Sequence, residues 1–191
     1  AHGPVAAECR AVRDAVGMIE TSTYSKYSVA GEGAAAWLDK ILAGRIPAVG
    51  RMALSPMLNR RGKLIGDFTV ARLGTGDFLV FGTGHAEAYH MRWFEAHLPP
   101  NGVAIHAHGA GLVGFSLAGP RARELLQRLT PEDVSNATFP FFSIRRLDLG
   151  MIRAAVGRLS FTGELGYEIW VTPEYQRLLF NVLLEAGGDL G

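Results

Sequence analysis

The sequence predicts an α+β fold in which antiparallel sheets dominate and helices pack against them. Three observations favour this class. Short segments of alternating apolar and polar residues predominate, glycine-containing turns connect many of them directly, and helix-like segments return at intervals. With 191 residues, 48% of them apolar, the chain is large enough for one large or two small domains with a real core.

Helices are predicted where apolar residues recur every three or four positions. The clearest example is the segment 33–43, in which Trp37 and Leu38 share one stripe and Gly44 ends the helix. A second starts at Gly119-Pro120, with proline in the first turn that it favours. The full set of predicted helices is 8–15, 33–43, 85–98, 119–129 and 173–186.

Strands are predicted where the period shortens to two. Asn59-Arg60-Arg61-Gly62 has the composition of a hairpin turn, with glycine where a positive φ is needed. The predicted strands are 17–22, 26–30, 51–58, 63–73, 78–81, 103–108, 112–118, 144–149, 152–156, 157–161 and 167–171.

Domain organisation is left with two alternatives: one region over residues 1–191, or two interleaved subdomains divided near 45–50 or 98–102. Both ends resemble cut ends, because the sequence begins without Met at Ala1 and stops just after a helix. We therefore expect a piece of a longer polypeptide.

The amino-acid composition limits the classes of partner and compartment that we expect. The formal net charge is +1 with acids and bases mixed, so no basic patch predicts a nucleic-acid partner. No apolar run approaches the ~20 residues that span a bilayer, so no membrane partner is expected. The single Cys9 excludes an internal disulfide and favours a reducing, cytoplasmic compartment.

A glycine-framed corner, residues 160–168, contains two acids. Glu168 follows the corner inside a new strand, between the apolar neighbours Tyr167 and Ile169. A carboxylate in that setting can accept two parallel N–H bonds from an amidine-like edge; the alternative is an exposed strand residue. Glu164 is expected to be a turn residue in water.

Asp67 is the other candidate, as the only charge in the apolar stretch 64–70. Alternation places it on one face with Ile65 and Thr69, and Gly66 permits close approach to the backbone. The alternative is a carboxylate on a solvated sheet face. The two interpretations carry about equal weight on pattern alone.

Three other patterns are weaker indications of a functional site. Residues 114–118 nearly match a hydrolase nucleophile elbow, but Ser116 falls inside a strand instead of at the turn. His85 and His90 are five residues apart, and no third ligand accompanies His106 and His108, so no metal site is predicted and surface or partly buried histidines are expected. Gly82-Thr83-Gly84 is more typical of a simple turn than of an anion site.

Five segments in order match one family: residues 11–17, 54–59, 66–70, 118–123 and 161–168. On these the chain resembles the folate-binding aminomethyltransferase family, which includes the glycine cleavage T-protein. It is more similar to the branch fused behind a flavin domain in dimethylglycine and sarcosine dehydrogenases and oxidases. The resemblance implies the T-protein-like fold, without the family's C-terminal β-barrel domain.

The resemblance also implies site residues. Asp67 matches the aspartate beside the reactive nitrogens of tetrahydrofolate, and Glu168 matches the glutamate that grips the pterin edge. Thr69, Phe161, Thr83 and Tyr167 occupy further matched positions around the cofactor. The family usually has Tyr at Phe161 and often Asn near Thr83, and an arginine that it uses near folate lies beyond Gly191.

The implied reaction transfers one carbon from an N-methyl amine or aminomethyl donor to tetrahydrofolate, giving 5,10-methylenetetrahydrofolate. FAD is implied only for a preceding domain of a longer parent. Three alternatives are a folate-binding or regulatory module, a folate-dependent demethylase of the same fold, and an interaction domain without a site. Regulatory relatives carry a reactive cysteine in a Lys-Gly-Cys-Tyr-x-Gly-Gln-Glu segment, which is absent here.

Overall fold

The computed structural model describes residues 3–191. In chain order the helices are α1 (Gly3–Asp14), α2 (Ala34–Ile41), α3 (Glu87–Ala96), α4 (Ala122–Leu129) and α5 (Gln176–Gly187). The strands are β1 (Gly17–Glu20), β2 (Ser25–Ala30), β3 (Met52–Leu58), β4 (Leu64–Gly74), β5 (Asp77–Gly82), β6 (Ala104–Ala107), β7 (Val113–Ala118), β8 (Ile144–Leu149), β9 (Ile152–Gly157) and β10 (Gly166–Val171).

The chain divides into two units at positions that differ from the expected ones. The first unit combines the segment up to Ser22 with Leu112–Gly191, and the second is Thr23–Gly111. The expected boundaries at 45–50 and 98–102 both fall inside the second unit. Each of these segments joins elements of that unit, namely α2 to β3 and α3 to β6.

The first unit contains a five-stranded antiparallel sheet in the order β1-β7-β10-β9-β8. One face of this sheet carries large apolar side chains, including Phe115, Leu117 and Ile169, which form a core with residues of α4 and α5. Each strand alternates, so the residues between these point to the opposite face. That opposite face positions the candidate site of this unit.

The second unit contains its own five-stranded antiparallel sheet, in the order β3-β4-β5-β2-β6. Its core includes Phe68 and Val70 of β4, packed with Trp37 and Leu38 of α2 and Phe94 of α3. The α+β class with mainly antiparallel sheets is confirmed. Within residues 3–191, each helix is too short or too polar to cross a membrane.

Three local predictions were wrong. The register of β3 with β4 shifts between Met57 and Leu58, which adds Ile65 to the apolar core instead of placing it beside Asp67. Residues 158–165 form a loop in place of a strand. Pro120 precedes α4, which begins at Ala122, so the proline lies outside the first turn of the helix. The backbone N–H groups of Gly119 and Arg121 on either side of it donate to the backbone oxygens of Leu165 and Ala15.

Candidate functional site

Glu168 lies in the middle of β10, on the sheet face away from α4 and α5. Its chain neighbours Tyr167 and Ile169 both belong to the apolar core of the first unit, so alternation turns Glu168 to the other side. In the sheet it stands opposite Ser116 of β7 and Gly157 of β9. The residue is only 7% exposed, which makes it a buried carboxylate.

Burial raises the pKa of Glu168 from 4.5 to about 7, because the charged form loses water. Within residues 3–191 no side chain or backbone group donates a hydrogen bond to this carboxylate, and no cation pairs with it. Buried charges are normally paired. An unpaired carboxylate in this position has the chemistry of a ligand-binding group for an N–H-rich partner.

The corner that leads to Glu168 has a defined geometry. Gly163 has a φ of +82°, a conformation that glycine adopts at no steric cost. A Cβ on Gly166 would lie 2.3 Å from Cβ of Ser160 and 2.8 Å from the backbone oxygen of Leu117. Backbone conformation therefore favours glycine at position 163, and lack of space requires it at position 166, before β10 begins.

Glu164 was expected to be a turn residue in water, and this was wrong in part. Its side chain is 25% exposed and forms an ion pair with Arg13 of α1. The hydroxyl of Ser160 also donates a hydrogen bond to the backbone oxygen of Glu164. Glu164 therefore ties the corner to α1, and Glu168 alone remains as an unpaired acid in this region.

Ser116 is the residue that sequence reasoning missed. The hydrolase interpretation was rejected because Ser116 falls inside a strand, and β7 does contain it. The structure adds that Ser116 is 8% exposed and directly opposite Glu168 in the register of β7 with β10. Only the pairing of these two distant strands reveals that relationship.

Asp67 and Thr69 lie in the second unit, on β4. Asp67 stands opposite Pro56, and Thr69 stands between Leu54 of β3 and Phe81 of β5. Their spacing of two puts both on the sheet face away from Phe68 and the core. Asp67 is exposed, and no group within residues 3–191 hydrogen-bonds to its carboxylate.

The remaining predicted ligands have different surroundings. Thr83 is exposed and precedes a short 3-10 turn at Gly84–Ala86. Phe161 is 93% exposed in the loop before β10. Tyr167 is fully buried in the core, where Arg123 Nε donates to its hydroxyl at 3.2 Å. Because Tyr167 faces away from Glu168, the structure gives it a packing role and we do not retain it as a ligand.

The histidines that the structure describes, His85, His90, His97, His106 and His108, are not grouped as metal ligands. No group of three or more His, Cys, Asp or Glu residues within residues 3–191 is arranged to hold an ion. His90 was expected to be at the surface or partly buried, which was wrong: it is fully buried, with its Nδ1 3.2 Å from the Tyr27 hydroxyl. Burial lowers the pKa of His90, so it is neutral at pH 7.

A family model described as the GCVT N-terminal domain matches residues 1–191. The chain belongs to this family. The resemblance inferred from five ordered segments is thereby confirmed. This GCVT domain is 33% identical over 192 residues to the mitochondrial dimethylglycine dehydrogenase of Rattus norvegicus, covering 98% of the chain and 22% of the relative.

The chain matches two further relatives and covers a different share of each. Sarcosine oxidase subunit alpha of Corynebacterium sp. (strain P-1) is 34% identical over 191 residues, with 95% of the chain and 20% of the relative covered. The aminomethyltransferase of Desulfitobacterium hafniense is 25% identical over 192 residues, with 100% and 52% covered. The chain thus spans about a fifth of the first two relatives and about half of the third.

Solved structures confirm the fold. The glycine cleavage system aminomethyltransferase T of Bartonella henselae matches with a TM-score of 0.82 at 21% identity, covering 93% of this chain and 48% of that one. Heterotetrameric sarcosine oxidase of Corynebacterium sp. U-96 matches with a TM-score of 0.75 at 19% identity, covering 99% and 94%. The GCVT domain therefore has the T-protein fold.

Proposed function

We propose that this region binds tetrahydrofolate and takes part in one-carbon transfer, as a tetrahydrofolate-dependent aminomethyltransferase. The observation that carries the proposal is the buried, unpaired carboxylate of Glu168. Membership of a family whose relatives include an aminomethyltransferase supports the same reaction class. Tetrahydrofolate supplies nucleophilic nitrogens that take up the one-carbon unit, giving 5,10-methylenetetrahydrofolate.

The Glu168 carboxylate fits the edge of a pterin. That edge presents an amino group and a ring N–H side by side, and an ionised carboxylate can accept both hydrogen bonds at once. Such charge-assisted pairs are about twice as strong as neutral ones. The cost of burying the acid without a protein partner is then offset in the bound state, when the ligand provides the missing donors.

Asp67 is proposed to act at the reacting centre. A carboxylate stabilises positive charge that develops on the transferred carbon and orients an attacking amine through its N–H. Asp67 has the free carboxylate that this role requires, since nothing within residues 3–191 engages it. Thr69, on the same strand face, and the exposed Thr83 and Phe161 are proposed as supporting contacts.

The proposal extends to the one-carbon donor and to the longer protein that contains this region. Relatives are named for dimethylglycine and sarcosine, so we propose an N-methyl amine that a flavin domain of a longer parent, or a separate flavin protein, oxidises first. A reducing compartment suits the exposed thiol of Cys9. The cytoplasm is our proposal for it, although the rat relative is named as mitochondrial.

Calorimetric titration with tetrahydrofolate tests the proposal, using this chain and a version extended beyond Gly191. We expect binding, and we expect Glu168→Gln to weaken it on the order of 100-fold, because one ionised acceptor of two bonds is lost. Glu164→Gln, in the same corner but paired with Arg13, serves as the matched control and should bind normally. Absence of binding by the extended form would overturn the proposal.

The same titration has an expected pH dependence. Only ionised Glu168 accepts both N–H bonds, and its pKa in the free protein is about 7. The affinity should therefore rise from pH 6 to pH 8 and level off above, with uptake of ligand releasing a proton. Glu168→Gln should remove this dependence. A wild-type affinity that stays flat across pH 6–8 would argue against Glu168 as the acceptor.

A further inference from the structure

Ser116 and Glu168 form an adjacent polar pair on the face of the first sheet that lies away from its apolar core. They are directly opposite in the register of β7 with β10, which places the two Cβ atoms about 4.5–5.5 Å apart. Both residues are more than nine-tenths buried. Hydroxyl and carboxylate therefore stand side by side, on the face away from the apolar core.

Neither group is engaged by the protein. Among residues 3–191, no donor or acceptor hydrogen-bonds to the Ser116 hydroxyl, and none reaches the Glu168 carboxylate. Both side chains therefore keep hydrogen-bonding capacity that a ligand can use. Two adjacent unpaired groups indicate a shared external partner more strongly than one alone.

The residues beside this pair on the neighbouring strands include two glycines, Gly157 and Gly114. The residue opposite Glu168 on β9 is Gly157, which has no side chain. Along β10 the next residue on the same face is Trp170, whose ring lies over Gly114 of β7: a Cβ there would be 2.4 Å from Trp170 Cε3. The indole thus leans across β7 at the Gly114 position, one step along the sheet from the carboxylate.

We propose that Ser116 is a specificity-determining residue that binds the same ligand edge as Glu168. The inference rests on the proposed function, because it assigns a second contact to the same folate site. The carboxylate accepts hydrogen bonds from the amino group and the ring N–H, and the Ser116 hydroxyl donates to the 4-oxo (carbonyl) oxygen beside that N–H. The pair thereby recognises an acceptor-donor-donor edge, which a 2-amino-4-oxo heterocycle presents.

This assignment explains a hydroxyl at a position where an apolar strand residue would serve packing equally well. Alanine or valine at position 116 would fill the sheet face without leaving an unpaired donor. It also gives the two residues different effects on ligand binding. Glu168 supplies most of the affinity, whereas Ser116 rejects heterocycles that lack an acceptor beside the N–H, since such ligands leave its hydroxyl unpaired.

The test measures dissociation constants for tetrahydrofolate and for 6-methyltetrahydropterin, which contains the heterocycle without the glutamate tail. The extended chain is compared with its Ser116→Ala variant and with the matched pair Ser116→Thr and Ser116→Val. We expect Ser116→Ala to weaken both ligands by a similar factor of about 3- to 10-fold. Ser116→Val should bind more weakly than Ser116→Thr, because the two differ only in the hydroxyl.

The remaining outcomes separate this inference from the function on which it rests. If wild type binds tetrahydrofolate and Glu168→Gln weakens it, but Ser116→Ala and the Thr/Val pair show no difference, Ser116 is not a ligand contact while the folate proposal stands. Thermal unfolding of each free variant supplies a second readout. Loss of stability in Ser116→Ala and Ser116→Val, but not Ser116→Thr, would assign the hydroxyl a structural role instead. No binding by wild type overturns both.

Discussion

At the scale of single residues, the carboxylate of Glu168 conflicts with the stability of the fold around it. It is buried without a partner, and its pKa of about 7 lies above the ordinary value of 4.5. The folded protein therefore holds a proton that the unfolded chain releases between these two values. By linkage, the contribution of Glu168 to the free energy of unfolding is most favourable below pH 4.5, falls as the pH rises and levels off above about 7.

Glu168→Gln should consequently stabilise the free protein at alkaline pH. Glutamine stays neutral, so at pH 8 the variant avoids a penalty on the order of 3 kcal/mol as an upper bound, whereas near pH 4 the two proteins should be equally stable. Urea unfolding from pH 4 to 8.5 measures the difference. A variant that is less stable than wild type at pH 8 would show that the carboxylate has a stabilising partner.

Asp67 is expected to behave differently from Glu168. If it acts at the reacting centre, Asp67→Asn should lower turnover on the order of 100-fold, while the dissociation constant for tetrahydrofolate changes only a few-fold. Single-turnover transfer assays on the parent protein, together with titration of the variant, separate the two effects. Full transfer activity in Asp67→Asn would show that the assigned role is wrong.

The sequence singles out both carboxylates as candidates but does not predict their surroundings. Glu168 and Asp67 stood out because each is an acid within an apolar strand, a signal contained in a few neighbouring residues. The partnership of Glu168 with Ser116 depends on two strands about 50 positions apart in sequence. Tyr167 points into the core because α4 and α5 cover its face of the sheet. Which face the helices cover cannot be read from the residues next to Tyr167.

At the scale of elements, the corner before β10 is limited by space at one glycine and by backbone conformation at another. The strand alternation and the hairpin turn at residues 59–62 were predicted from local chemistry, and Gly62 does have a φ of +72°. The bulge at Ile65 and the loop at 158–165 were not predicted, because cross-strand register and contacts with distant segments decide them.

The two glycines of the corner should respond differently to substitution. Gly166→Ala should lower the free energy of unfolding by about 1–3 kcal/mol, since its Cβ overlaps Ser160 and a backbone oxygen of β7. Nothing lies within 4 Å of a Cβ on Gly163, so Gly163→Asn should cost less than about 1 kcal/mol, asparagine tolerating positive φ. Equal losses in urea unfolding would contradict this assignment.

At the scale of the whole molecule, the two units differ in continuity. The second unit is a single segment, Thr23–Gly111, with its own sheet and its own apolar core. The first unit is made of two segments, because β1 pairs with β7 although the entire second unit lies between them in the sequence. Composition could not predict this arrangement, since the junction at Ser22 and Thr23 has neither proline nor glycine nearby, and Gly109 and Gly111 before the second junction are equally typical of a simple turn.

The segment 23–111 expressed alone should therefore fold, with a cooperative thermal transition and the far-ultraviolet circular dichroism of a mixed sheet and helix protein. The segment 112–191 alone lacks β1 and leaves the β7 edge unpaired, so it should be less stable and should aggregate more readily. Adding residues 3–22 back through a fused linker is the control. An unfolded 23–111 segment would contradict the division into units.

The discontinuity of the first unit has a consequence for synthesis. Strand β1 leaves the ribosome about 90 residues before its partner β7, which at bacterial to eukaryotic elongation rates is a wait of roughly 5–20 s. During that interval the second unit can complete its sheet, since all five of its strands emerge first. The segment that contains β1 must stay available for pairing with β7 until then, so the order of translation lets the inserted unit complete its sheet first.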